Sequence, residues 1–135
     1  MPQSSHLPCG AVPEEERYAR AIGAWQNAEE LAHGAERLAS HYQEAARVAW
    51  ARARERRRRA ADAFAARQVA FAHGLAEAAA AHERAAIEAE RRAAEAERRA
   101  RPLRLDAESR LEEIGRILRA RAEHDHGGLT KRGAA

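Results

Sequence analysis

From residue 75 to 103 the positions that avoid charge recur at alternating steps of four and three. They are Leu75, Ala79, His82, Ala86, Ala89, Ala93, Ala96, Ala100 and Leu103. A period of 3.5 residues is that of a helix packed in a coiled coil. The charges between these positions keep the same step: Glu-Arg pairs start at Glu83, Glu90 and Glu97. An earlier stripe runs through Tyr18, Ile22 and Trp25, slips once, and continues through Ala28, Ala32, Ala35, Ala39, Tyr42, Ala46, Ala49 and Ala53. Leu31 and Leu38 widen it on one flank. Trp25, Tyr42 and Trp50, at helical spacing, read as ordinary core residues of this stripe.

The two stripes predict an all-α fold, a long coiled-coil-type helical region over residues 14–101. Its start is marked by Pro13 followed by Glu14, Glu15 and Glu16, which place negative charge on a first helical turn. Gly74 leaves two arrangements open. It could cap a first helix and send residues 75–101 back along 46–72 as a helical hairpin. Alternatively it lies within one helix, at a cost of about 1 kcal/mol. With no Pro, Asn or Asp beside it, the pattern favours a single rod over 14–101, about 130 Å long at about 1.5 Å per residue.

Pro102 predicts a break, because its ring removes an intrahelical donor and biases Arg101 away from helical geometry. Asp106 offers the next N-cap. A short amphipathic helix is then expected within 102–126, with Ala107, Leu111, Ile114, Leu118 and Ala122 as its stripe, folding back on the end of the alanine seam. Gly127 and Gly128 are expected to end it. Residues 1–13, with three prolines, and 127–135 read as a disordered arm and a flexible tail.

Composition narrows the class further. The chain has 135 residues, of which 37 are Ala, 23 Arg and 18 Glu, the usage of long helices; three Val, four Ile and one Thr are too few to build a sheet. Alanine seams bury little area, so stability is expected from packing against another helix, in the same chain or another copy. Cys9 is the only cysteine, which excludes an intramolecular disulfide. No apolar run approaches the roughly 20 residues of a membrane span, and residues 1–13 lack the pattern of a signal peptide. A cytoplasmic location is the expectation.

Charge singles out one segment. Arg52, Arg54, Arg56, Arg57, Arg58 and Arg59 stand against Glu55 alone. Spaced by one and two residues, they cover every face of a helix and interrupt the apolar stripe. From residue 52 to 72 there are 7 basic and 2 acidic residues, so the net charge of +3 is local to this stretch. A basic helix can lie against nucleic-acid phosphates. However, the stretch lacks base-reading polar residues and is not followed by leucine heptads. An anionic membrane surface would also attract it, but the cluster lacks an adjoining apolar face.

Chemistry is otherwise sparse. There is no phosphate-binding glycine loop and no nucleophile elbow, and Ser40 and Ser109 have no base arranged beside them. Glu30 and His33, with Glu36 one turn on, form one Glu-x-x-His pair where a di-iron site needs two. His124, Asp125 and His126 lie beside a glycine at an expected helix end rather than in a zinc frame. No metal, cofactor or small-molecule substrate is therefore expected. Glu88 with Arg92 and Glu95 with Arg99 read as salt-bridged pairs on a solvated face. The function expected is that of a non-enzymatic structural or interaction protein that self-associates as a homo-oligomer or binds a helical partner, bracing a larger assembly. Nucleic-acid binding through the six arginines is the alternative.

Overall fold

A computed structural model describes residues 13–132, and side chains as far as residue 127. It contains two helices and, among the described residues, no strand: α1 is Glu14–Ala65 and α2 is Val69–Arg132. The fold is an all-α helical hairpin. The start expected at Glu14 is present, with Glu14, Glu15 and Glu16 in the first turn. The arm expected over residues 1–13 lies, apart from Pro13, outside the described residues, as do 133–135.

The reversal corrects the single rod and also the turn at Gly74. The chain turns at residues 66–68, six to eight residues before Gly74, which lies inside α2. Arg67 adopts the left-handed conformation, φ 62°. The Gln68 amide donates to the Ala63 carbonyl at 2.9 Å, and the Arg67 amide to that of Phe64 at 2.9 Å. This pair of bonds is a Schellman motif, which satisfies carbonyls that a helix end leaves unpaired. The residue after the helix is usually glycine in this motif; here an arginine holds that place. The Ala72 amide bonds the Gln68 carbonyl at 2.9 Å, starting α2 at once.

The chain divides into two units. The first is Ala32–Pro102, the hairpin around the turn. Its buried side is almost wholly alanine: Ala32, Ala39, Ala46, Ala53 and Ala63 on α1, and Ala72, Leu75, Ala79, Ala86, Ala93, Ala96 and Ala100 on α2. Successive heptad positions, 32, 39, 46, 53 on one helix and 72, 79, 86, 93, 100 on the other, supply most of it. A methyl group projects little beyond the helix cylinder, so alanines with 0% exposure, as at Ala32, Ala79 and Ala86, require a facing backbone in close approach. Next to the turn, Ala63, Ala72 and Leu75 form one cluster with Ala60 against it.

The second unit combines the described part of Met1–Leu31 with that of Leu103–Ala135. Ala28, Ala107 and Ile114 are its buried residues. Arg104 Nη1 lies 2.6 Å from Glu29 Oε2, and the Arg121 guanidinium stands over the Tyr18 ring at 5.7 Å. These contacts join the beginning of α1 to the end of α2.

The break expected at Pro102 is absent, and with it the separate C-terminal hairpin: α2 continues through Pro102. Proline deprives the Arg98 carbonyl of its partner, but Pro102 is exposed, so solvent reaches the freed group. Buried Ala100 and Ala107 on either side keep the helical register. Nor do Gly127 and Gly128 end α2, which reaches Arg132; glycine weakens a helix without forbidding it.

Candidate interaction site

The arginine cluster lies on the last turns of α1, within the first unit. It does not interrupt the seam as expected. Ala53, at 1% exposure, and half-buried Ala60 carry the buried face through the segment. Arg56, half-buried, sits beside them, while Arg52, Arg54, Arg57, Arg58 and Arg59 are exposed. Arg58 pairs along its own helix with Glu55 at 2.9 Å. Arg57 crosses the hairpin and forks onto Glu83, with Nη2 2.8 Å from Oε2. Arg52, Arg54, Arg56 and Arg59 form no ion pair among the described residues.

Arg57 and Glu83 are one rung of a ladder that the two helices build together. Seven residues back along α1 and seven on along α2, Trp50 Nε1 donates to Glu90 Oε1 at 2.6 Å. One heptad further, the Gln43 amide donates to the Glu97 carboxylate. Antiparallel helices meet at equal and opposite heptad steps, so a single register aligns all three rungs. Glu83, Glu90 and Glu97 are therefore cross-helix acceptors. Their heptad spacing was the visible signal of that role. The expected intrahelical pairing is present for Glu88 with Arg92, at 3.1 Å. Glu95 instead pairs with Arg91, at 2.6 Å, rather than with Arg99.

Electrostatics follow these contacts. The hydrogen bond from Arg57 holds the Glu83 carboxyl below its ordinary range, and Glu83 in turn raises Arg57. Glu88 falls from 4.5 to about 2, chiefly through the Arg91 hydrogen bond and also that of Arg92. Arg47 lowers Glu44 in the same way. Such pairs are exposed, so water screens them and each adds little to stability.

Tyr42 and Trp50 of α1 belong to this surface more than to a core. Trp50 and Tyr42 are half-buried, Trp50 bonded to Glu90 and Tyr42 lying under the Arg92 guanidinium at 5.8 Å. Gln43, Trp50, Glu90 and Glu97 border a shallow groove floored by Ala46 and Ala93. Elsewhere, Glu30, His33, Glu36, His124, Asp125 and His126 do not assemble, and among the described residues no group of three or more His, Cys, Asp or Glu side chains could hold a metal ion. No helix among the described residues is long and apolar enough to cross a membrane. Comparison with protein-family models, curated proteins and solved structures finds no match.

Proposed function

We propose that this chain is a non-enzymatic, coiled-coil-type interaction protein that self-associates and so braces a larger assembly. One observation carries the reading: alanine makes up most of the contact between α1 and α2, while several larger aliphatics remain outside it. Leu111 and Leu118, one heptad apart on α2, are 51% and 44% exposed. Leu105, Leu31, Leu38 and Ile87 are exposed as well. Leu111 and Leu118 flank the face that carries buried Ala107 and Ile114, so they form an exposed strip beside the existing contact where a second helix can pack. Burying one leucine is worth roughly 1.5–3 kcal/mol, more than an alanine of the seam can supply. The occupant that fits is another copy of the hairpin, which brings an equivalent stripe to a two-fold contact. Sedimentation tests it, and a compact, strictly monomeric particle at micromolar concentration overturns it.

The alternative reading is a nucleic-acid-binding accessory protein using Arg52, Arg54, Arg56, Arg57, Arg58 and Arg59. What favours it is that four of these, Arg52, Arg54, Arg56 and Arg59, are not engaged by carboxylates among the described residues. Salt-sensitive binding that disappears on replacing the arginines is its signature. Absence of binding to DNA and RNA at low salt removes it.

A further inference from the structure

The hairpin turn is unusually apolar for a solvent-facing loop. Of the ten residues from 63 to 72, eight are apolar, with Arg67 and Gln68 the exceptions. Phe64, Val69 and Phe71 are 63%, 47% and 55% exposed at this apex. The arginine cluster alone lacks an apolar face. The reversal at 66–68 supplies one by bringing Val69 and Phe71 of α2 to the end of the hairpin that carries Phe64.

We infer that the apex is a docking site for an anionic lipid bilayer, with Phe64, Val69 and Phe71 entering the headgroup boundary and the arginines meeting the headgroups. Two observations choose this occupant. The arginines carry a strong positive field, which opposes tip-to-tip contact with a second copy and attracts an anionic surface. Arg59 also lies at the right height: it is five residues, about 7.5 Å of helix, behind Phe64, matching an apolar depth of about 5–10 Å. A nucleic acid fits the same charge, but Val69 offers it no stacking face, and arginines on every side of α1 do not trace one strand.

The test is flotation of the full chain with phosphatidylcholine vesicles and with vesicles containing phosphatidylserine, alongside a single-stranded oligonucleotide arm. Binding to the anionic vesicles only is expected. Replacing Arg59 by glutamine should weaken it about fivefold, and replacing Arg54 or Arg52, farther from the tip, should weaken it less. F64S/F71S should reduce it at least tenfold, with the helical circular dichroism retained because both rings are exposed. Equal binding to neutral vesicles overturns the proposal. Anionic binding untouched by F64S/F71S also overturns it, since that would be adsorption by charge alone. Oligonucleotide binding that depends on the two rings, without vesicle binding, reassigns the tip to nucleic acid.

Discussion

Replacing Ala86 by leucine turns the closeness of the two helices into a question of sign. Ala86 is fully buried, as is Ala79 one heptad before it, and Ala53 on α1 is 1% exposed. Leucine adds three carbons. If the helices stood at the separation of an ordinary leucine seam, those carbons would fill space and stabilise by about 2.4 kcal/mol, at roughly 0.8 kcal/mol each. At the approach that fully buried methyl groups require, the same carbons collide with the facing helix, and overpacking of this kind costs about 1–3 kcal/mol. Ala81, on the exposed side of α2, is the control, where leucine should change stability by less than about 0.5 kcal/mol. Urea unfolding followed by the helical circular dichroism, at one protein concentration for all variants, measures the differences. A stabilised A86L refutes close approach.

Other expectations follow from single features. Arg67 sits in the left-handed region, so Arg67→Gly should raise stability by about 0.5–1 kcal/mol and Arg67→Val should lower it, both read from urea midpoints. Pro102→Ala restores the donor missing from α2 and should stabilise by up to about 3 kcal/mol, seen as a higher melting temperature. On acidification, Glu88 releases its stabilisation late. Its folded value of about 2 lies below the 4.5 of an unperturbed carboxyl, so the contribution is complete above pH 4.5 and is lost as the pH falls towards 2. Glu83 and Glu44 are shifted in the same direction. Melting temperatures should therefore decline across that window, and less steeply in Glu88→Gln; an unchanged slope in that variant contradicts the assignment.

Much of this fold could be read from periodicity. Every residue of the stripe from Leu75 to Leu103 is buried or half-buried, because steps of four and three select one face whatever partner covers it. The turn escaped the local rules, since its left-handed residue is arginine rather than glycine. Its trace is a change of phase. Carrying the heptad of Ala46, Ala53 and Ala60 forward lands on Arg67 and Gly74, whereas the buried residues resume at Ala72 and Ala79. Pro102 failed as a boundary because a helix interior tolerates proline where its outer face meets water and packing resumes on both sides. The site was half legible. The six arginines are visible in one dimension, but the apolar apex beside them exists only once the reversal joins Phe64 to Val69 and Phe71. The acceptors at Glu83, Glu90 and Glu97 likewise need the antiparallel register before their heptad spacing has partners.

Sedimentation equilibrium over a range of micromolar concentrations tests self-association most directly. The expected result is a mass that rises above the 14.9 kDa of one chain towards a whole multiple, and returns to it in L111E/L118E while the helical signal persists. A mass of one chain throughout the range, in a protein that is fully helical, would contradict self-association.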